Sequence, residues 1–313
     1  MEFDLIEQYF KPLSQTTRPG DLAIGDDGAL ITPPENSQLV VVTDTLVSGV
    51  HFLAQANPYD IGWKSLAVNL SDLAAMGAQP AFYSLALTLP SADPPWLEAF
   101  SRGLHDCAKP YAMPLIGGDT TRGPLCISVT AQAWVPKGEA LLRSRAKLGD
   151  DIYVSGAIGE AGLGLMLAKA GGLTSSTQED YALTRLNRPQ ARVSLGLALR
   201  NLASSAIDVS DGLLADLNHI LQASNLGAQL YLADIPLSDA VKNWAQANPI
   251  QALNAGDDYE LCFTANPNQR QVIKDLSGLL GLPIHRIGKI RQAPGLVVEG
   301  LVGDKDVRGY EHF

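Results

Sequence analysis

The chain has few cysteines, no long apolar run and a deficit of positive charge, and each shortage excludes a class of protein. Its three cysteines, Cys107, Cys126 and Cys262, are far apart, so neither a zinc site nor a disulfide framework is expected. No apolar stretch reaches the length of a membrane span. The 33 acidic residues outnumber the 23 basic ones, for a formal net charge of -10. This balance argues against nucleic acid or an anionic membrane as the main partner.

Targeting signals are also missing from the first residues. The start, Met1 to Asp4, is acidic and has neither the basic residues nor the apolar run of a signal peptide. A low cysteine count suits a reducing compartment. Together these features predict a soluble cytoplasmic protein.

What the chain does contain is ample apolar material for two domains. Of its 313 residues, 46% are hydrophobic, which is enough to form two separate cores. Mixed helix and strand signals in both halves predict two domains of the α/β (mixed α+β) class. A basic segment over 136–149 looks like a connection, so we expect domains over 1–137 and 148–313.

Hydrophobic periodicity predicts where the regular elements lie. Helices are expected over 3–12, 58–76, 94–108, 190–204, 213–224 and 267–280, and another after the glycines of 156–164 that ends at about Ala170. Strands are expected over 39–43, 81–89, 115–116, 126–135, 151–155 and 206–209. The β-branched run over 39–43 is expected to be buried and to end at Asp44.

Aspartates recur beside glycine or a hydroxyl residue where these strands are expected to end. The pattern occurs in five segments: 25–28, 43–45, 117–121, 208–212 and 256–259. Asp72 is a sixth case, inside an apolar helix where an unpaired buried carboxylate would be costly. A turn or a helix cap explains any one of these aspartates about equally well. Six recurrences favour a shared purpose.

Such aspartates are best suited to bind hard cations. Magnesium takes oxygen ligands and seldom has a cage made of protein alone, so carboxylates gathered at strand ends can hold it with phosphate oxygens. Hydroxyl groups that could assist belong to Thr43, Thr45, Thr120 and Ser210. Calcium is disfavoured because no EF-hand loop is present.

Several segments could bind phosphate. Gly117 and Gly118 allow close approach of backbone N–H groups, and Ser210 is expected at a helix N-terminus, which attracts anions. Arg143 and Arg145 could grip phosphate oxygens, although solvated charge explains these arginines better. The chain has no P-loop, no kinase catalytic loop and no dinucleotide fingerprint. ATP would therefore bind in some other fold.

In this order the segments resemble the thiamine-monophosphate kinase family of the aminoimidazole ribonucleotide synthetase superfamily. The resemblance covers nearly the whole chain, through 25–27, 43–46, 51–52, 67–77, 117–121, 207–212, 256–261 and 309–313. Gly-Asp-Asp segments recur across the superfamily. The helix around Asp72 and the Gly-Tyr-Glu-His-Phe sequence over 309–313 are more particular to this family.

The resemblance implies a fold, a reaction and a partner. The fold is an N-terminal dimer-forming domain with an α/β C-terminal domain, and the partner is a second copy of the chain. The reaction is phosphorylation of thiamine monophosphate by ATP to thiamine diphosphate, the last step of thiamine diphosphate biosynthesis. Several Mg²⁺ ions are implied as cofactors.

The resemblance also implies residue roles, with no residue acting as covalent nucleophile or base. Magnesium ligands would be Asp27, Thr43, Asp44, Asp72, Asp119, Asp208 and Asp211. ATP would contact Gly118, Asp119, Arg143 and Ser210, and the thiamine phosphate would contact His51, Asp257 and Tyr310. Two departures stand out: Val42 replaces a serine found in some relatives, and Asp257 replaces a frequent glutamate, which shortens its reach by one methylene.

Direct in-line transfer to the substrate phosphate fits these residues, because the acceptor oxygen is already ionised and needs no strong base. Two alternatives remain. One is an amide-activating, ATP-dependent enzyme of purine biosynthesis from the same superfamily. The other is a non-catalytic regulator that binds nucleotide on the same scaffold, although retention of all the metal-type aspartates argues against it.

Overall fold

A computed structural model describes residues 2–14 and 20–301, and the chain divides into two compact units. The N-terminal unit comprises Met1–Leu73 and Ala78–Gly138. The C-terminal unit comprises Ala74–Gly77 and Glu139–Phe313. The chain thus combines helices and sheets in both units, which confirms the α/β class.

The N-terminal unit is built on a four-stranded sheet of order β1-β4-β2-β3. Its strands are β1 (Ser37–Val47), β2 (Gln79–Leu89), β3 (Leu115–Arg122) and β4 (Cys126–Pro136). β4 pairs antiparallel with both β1 and β2, and β3 runs parallel to β2 at the edge. Its helices are α1 (Glu2–Leu5), which continues through a π turn and a 3-10 turn to Leu13, α2 (Pro58–Ala75) and α3 (Pro94–Ala108).

One face of this sheet is packed and the other is open. Every second residue of β4 is fully buried, including Ile127 and Val129, whereas the residues between them are half-buried. On β1, Leu39 and Val41 are 49% and 54% exposed. The expectation of a fully buried strand there was wrong, because only its alternate residues face the core.

The C-terminal unit contains a six-stranded sheet of order β10-β7-β9-β5-β8-β6, in which β7 and β10 are parallel and the other neighbours antiparallel. Its strands are β5 (Asp151–Ser155), β6 (Ser205–Asp208), β7 (Gly227–Tyr231), β8 (Leu261–Ala265), β9 (Ile284–Arg291) and β10 (Gly295–Glu299). Its helices are α4 (Glu160–Lys169), α5 (Thr177–Asn187), α6 (Val193–Ala198), α7 (Leu213–Ser224), α8 (Asp239–Trp244), α9 (Ile250–Leu253) and α10 (Arg270–Leu280).

Local chemistry explains two departures from the expected helices. The helix expected over 190–204 is confined to α6, and Asn201 beyond it adopts a left-handed φ of 60°, which regular helix does not allow. Helix α5 was not expected. Its N-cap is Ser176, whose side chain accepts the Glu179 N–H at 3.2 Å.

The apolar side of α7 forms the centre of the second core. Leu213, Leu217 and Ile220 are fully buried in one cluster with residues of β5, β6, β7 and β9. This packing fixes the start of α7 at the end of β6, which positions the aspartate segment between them. Of the helices in the described part of the chain, none is both long and apolar enough to cross a bilayer.

Candidate active site

A cavity of about 740 Å³ in the N-terminal unit brings two of the aspartate segments together. Residues 25–28 line it on one side, and 117–120 line it on another. Apolar side chains complete part of the wall: Ile6, Phe10, Ile24, Leu85 and Leu115. Apolar walls with a few converging polar groups are typical of a site for a small ligand.

Asp27 and Asp119 reach this cavity from different kinds of backbone. Asp27 lies in an irregular loop, where its N–H donates to the Asp26 side chain at 2.9 Å. Asp119 lies within β3, opposite Ala86 of β2. The expectation that a strand ends before this aspartate was wrong, because parallel pairing with β2 continues to the end of β3. Both Asp27 and Asp119 are exposed.

Gly117 and Gly118 lack side chains for different reasons. A Cβ on Gly118 would lie 1.8 Å from the carbonyl oxygen of Leu85, so the approach of β3 to β2 requires glycine. A Cβ on Gly117 would meet no atom within 4 Å. Packing among the described residues therefore does not require glycine at Gly117, and its backbone is left open to the cavity.

Thr43 and Asp44 point to opposite faces of the sheet. The expectation that β1 ends at Asp44 was wrong, because β1 continues to Val47 in unbroken register with β4. Thr43 Oγ1 lies 2.9 Å from Thr130 Oγ1 on the exposed face. Since side chains alternate along a strand, the Asp44 carboxylate lies on the other face, together with Leu46. A cation at Asp44 cannot also be reached by the Thr43 hydroxyl.

Asp72 lies on α2 and is half-buried, although its neighbours Ser71 and Leu73 are fully buried. Successive side chains on a helix diverge by about 100°, so Asp72 points away from the direction of the packed leucine. The expected burial of this carboxylate is therefore only partial.

His51 follows β1 in a turn whose hydrogen bonds set its tautomer. The ring Nδ1 accepts the backbone N–H of Val47 at 3.0 Å, and the His51 backbone N–H donates to the Val47 carbonyl at 3.0 Å. A ring that accepts at Nδ1 carries its proton on Nε2. This tautomer suits the predicted role of His51 as a hydrogen-bond donor and not that of a general base.

The C-terminal unit carries its first aspartate segment where β6 passes into α7. Asp208 ends β6 and is 3% exposed, whereas Ser210 and Asp211 are half-buried. The N–H groups of Ser210, Asp211 and Gly212 donate to Asp216 Oδ2 at 2.9, 3.0 and 3.1 Å. A carboxyl group of the chain itself thus already accepts the three N–H groups at this helix N-terminus.

The Asp216 carboxyl group is therefore an internal hydrogen-bond acceptor at the N-terminus of α7. Burial raises its pKa to about 8, and the negative charge of Asp208 adds to the rise. With the backbone donors occupied, Ser210 can offer its side chain to a ligand at this turn.

The second aspartate segment of this unit, Gly256–Glu260, runs beside the first. The Asp257 N–H donates to the Ser210 carbonyl at 2.8 Å. A Cβ on Gly256 would lie 2.4 Å from that same oxygen, so the close approach requires glycine. Asp257 is half-buried and Asp258 is fully buried. Within this segment Asp257 is the more accessible carboxylate.

Arg143 and Arg145 form an exposed 3-10 turn that is tied to the end of α7. Ser224 Oγ donates to the Arg143 carbonyl at 2.9 Å and accepts the Ala146 N–H at 3.2 Å. The backbone of this turn is therefore fixed, while the Arg143 side chain is presented to solvent.

The structure groups the candidates within each unit. In the N-terminal unit, the cavity is shared by Asp27, Gly118 and Asp119. In the C-terminal unit, one pair of adjoining segments holds Asp208, Ser210, Asp211 and Asp257. Across residues 2–14 and 20–301, no three His, Cys, Asp or Glu side chains lie close enough together to hold one metal ion. Tyr310 lies outside the described residues.

Sequence reasoning missed the residues that hold these loops in place. Asp216 was one, although it interrupts an apolar helix in the same way as Asp72. Glu260 was another: it is 1% exposed and forms ion pairs with Arg185 and Arg192. The available signal was a charged residue directly before the apolar run of β8.

Comparison with known proteins defines the class. The N-terminal domain model of AIR synthase related proteins matches residues 25–135, and the C-terminal domain model matches residues 147–300. The chain therefore belongs to the AIR synthase related protein family.

Individual relatives are more specific. Thiamine-monophosphate kinase of Escherichia coli (strain K12) is 46% identical over 100% of this chain and 98% of its own length. A crystal structure of thiamine-monophosphate kinase from Stenotrophomonas maltophilia K279a has a TM-score of 0.86 and 50% identity, covering 92% of this chain and 93% of that one. The structure described as AaThiL complexed with AMPPCP and TMP has a TM-score of 0.81 and 30% identity, covering 100% of this chain and 97% of that one.

Proposed function

We propose that this chain is a cytoplasmic kinase that transfers the γ-phosphoryl group of ATP to thiamine monophosphate, giving ADP and thiamine diphosphate. The observation that carries the proposal is full-length similarity to thiamine-monophosphate kinases, including one solved with AMPPCP and TMP. The cavity between the Gly-Asp-Asp-Gly loop and β3 supports it, because it offers carboxylates and open glycine backbone to a charged ligand.

Nucleotide contacts are proposed for residues of both units. In the N-terminal unit they are Gly118 and Asp119, with the open backbone at Gly117 as a further donor. In the C-terminal unit they are the Ser210 hydroxyl and the exposed Arg143 guanidinium, which can grip phosphate oxygens in two places. The thiamine phosphate is assigned to His51, Asp257 and Tyr310.

Magnesium fits the donor set. The proposed ligands are all oxygen atoms, the hard donors that Mg²⁺ prefers: Asp27, Thr43, Asp44, Asp72, Asp119, Asp208 and Asp211. Among the described residues these carboxylates do not gather in threes, which suits an ion that takes one or two carboxylates and completes its octahedron with water and phosphate. For Thr43 the orientation of its side chain leaves the backbone carbonyl as the donor. When bound, Mg²⁺ supplies charge neutralisation between the two phosphate groups.

The residues then act by position and charge. The substrate phosphate already carries an ionised oxygen, so transfer needs no general base, in agreement with the Nε2–H tautomer of His51. His51 would donate to the acceptor phosphate, and Arg143 would hold a phosphate of ATP. Of the three cysteines, Cys107 and Cys262 are buried, and burial raises the pKa of both thiols, so neither suits a nucleophile. A trapped phospho-enzyme, or loss of the chemical step with binding intact in His51→Ala, would overturn direct transfer.

A homodimer formed through the N-terminal units completes the proposal. The exposed face of β1 presents Leu39 and Val41, 49% and 54% exposed, beside the half-buried Trp134 of β4. Apolar residues in a row on one sheet face are typical of a surface that is covered in the assembled protein.

The test is formation of thiamine diphosphate. Purified protein is mixed with ATP, Mg²⁺ and thiamine monophosphate, and the product is followed by fluorescence after oxidation. Asp44→Asn and a reaction without Mg²⁺ run in parallel. Product that is lost in both controls supports the kinase and its metal requirement, whereas ATP binding without product would show that the acceptor is wrong.

A further inference from the structure

The loop Gly256–Glu260 contains two non-glycine residues with left-handed backbone. φ is 67° at Asp257 and 51° at Tyr259. Side chains disfavour this conformation, which persists where surrounding contacts impose it. Three backbone hydrogen bonds of 2.8 Å do so here: Asp257 N–H to the Ser210 carbonyl, Tyr259 N–H to the Val209 carbonyl, and Val209 N–H to the Glu260 carbonyl.

The carboxyl groups of this loop differ in how accessible they are. Asp258 and Glu260 are 0% and 1% exposed, whereas Asp257 is half-buried. The Tyr259 hydroxyl donates to Asp257 Oδ1 at 2.9 Å. Hydrogen bonds to an ionised group are short and directional, so this phenol restrains the rotation of the Asp257 carboxylate.

Contacts beneath the loop keep its backbone in place. Asp258 accepts the N–H groups of Gly159 and Ala161 at 2.7 and 3.3 Å. Glu260 is held by three side chains: Ser155, Arg185 and Arg192. These contacts hold the backbone of the loop, and the Tyr259 hydroxyl adds a restraint on the Asp257 carboxylate itself.

We propose that Tyr259 is a positioning residue that holds the Asp257 carboxylate in its binding orientation for thiamine monophosphate. The inference rests on the proposed function, because it takes Asp257 as a contact of that substrate. Thiamine monophosphate carries a permanent positive charge on its thiazolium ring, which a carboxylate complements. A carboxylate oriented in advance does not lose rotational freedom when the substrate arrives, and binding is tighter for that reason.

The variant Tyr259→Phe removes the hydroxyl and keeps the ring. We expect the KM for thiamine monophosphate to rise about tenfold, since a hydrogen bond to a charged group is lost. The KM for ATP, the kcat and the melting temperature should stay near the wild-type values. A purely structural role for Tyr259 would instead lower the melting temperature and would not single out one substrate.

The chain offers a matched control in Tyr153. Its hydroxyl donates to Asp151 Oδ2 at 3.4 Å, with the same two-residue spacing between tyrosine and aspartate. Tyr153→Phe should leave the KM for thiamine monophosphate unchanged. Asp257→Asn should raise that KM, and adding Tyr259→Phe to Asp257→Asn should raise it little further, because the phenol acts through the carboxylate.

The experiment measures initial rates against thiamine monophosphate at saturating ATP, with calorimetric titration of the same substrate as a readout independent of turnover. A selective rise in KM and Kd in Tyr259→Phe supports the inference. Wild-type turnover with an unchanged KM in a folded Tyr259→Phe overturns the inference alone. Absence of turnover by the wild-type protein overturns the proposed function and the inference with it. If Tyr259→Phe fails to fold, additive effects of Asp257→Asn and Tyr259→His on the Kd overturn the inference.

Discussion

Gly118 lies against Leu85 so closely that a Cβ on the glycine would sit 1.8 Å from the leucine carbonyl oxygen. The neighbouring Gly117 has open space at the corresponding position. Glycine therefore serves a different purpose at each of these adjacent positions: Gly118 permits the packing of the sheet, and Gly117 keeps the backbone open to the cavity.

Substituting each glycine separates these purposes. We expect Gly118→Ala to cost at least about 1–3 kcal/mol of unfolding free energy, because backbone atoms of β2 would have to move. Gly117→Ala should leave stability within about 0.5 kcal/mol but weaken ATP binding, because its methyl group would enter the cavity. Urea unfolding and calorimetric titration with ATP measure the two effects. Equal loss of stability in both variants would contradict this assignment.

Asp216 is expected to hold the β6–α7 turn by accepting three backbone N–H groups. Asp216→Ala leaves those donors without their acceptor, so we expect a loss of about 2–4 kcal/mol. The exposed Asp234 provides the control, and Asp234→Ala should change stability by less than about 0.5 kcal/mol. A stable Asp216→Ala protein with an unaltered turn would show that the turn is held by other contacts.

Asp258 should make the free energy of unfolding depend on pH. Burial raises the pKa of this aspartate to about 8 from the ordinary value of 3.8. The folded chain then holds the proton more tightly than the unfolded chain, so this contribution is full below about pH 4 and is lost as the pH rises through about 8. Relative to Asp258→Asn, the wild-type unfolding free energy should fall by up to about 1.4 kcal/mol per pH unit in that window. Parallel pH profiles for the two proteins would refute the expectation.

Dimer formation should depend on the open face of β1. A carboxylate at Leu39 or Val41 would be desolvated in the dimer, so Leu39→Asp with Val41→Asp should yield monomers by light scattering. Leu173, 86% exposed in the C-terminal unit, supplies a control of similar character. Leu173→Asp should keep the wild-type mass. A double variant that remains dimeric would place the interface elsewhere.

Much of the fold follows from local pattern, but strand length and internal anchoring do not. Periodicity identified the strand at 39–43, yet polar residues after it hid its continuation, since cross-strand pairs such as Thr45 with Ser128 replace apolar packing there. Asp216 interrupts an apolar helix as Asp72 does, but its hydrogen-bond partners could not be predicted, because they belong to a turn that folds back over it. The contact of Tyr259 with Asp257 could not be predicted either, because it depends on a left-handed backbone that composition does not reveal.

Some of the site residues could likewise be identified from the sequence, and others could not. Gly-Asp-Asp-Gly at 25–28 and Gly-Gly-Asp at 117–119 could be identified as candidates from residue type, and the structure places both at one cavity. Which of two adjacent aspartates is accessible, as with Asp257 and Asp258, depends on tertiary burial and could not be predicted from the motif.

The most direct test of the central claim follows the fate of the terminal phosphate of ATP. Protein, Mg²⁺ and ATP labelled in the γ-phosphate are incubated with thiamine monophosphate, and the products are separated. Label recovered in thiamine diphosphate, in equal amount to the ADP formed and absent from the protein, is the result we predict. Label released as inorganic phosphate only, or retained on the chain, would contradict direct transfer to thiamine monophosphate.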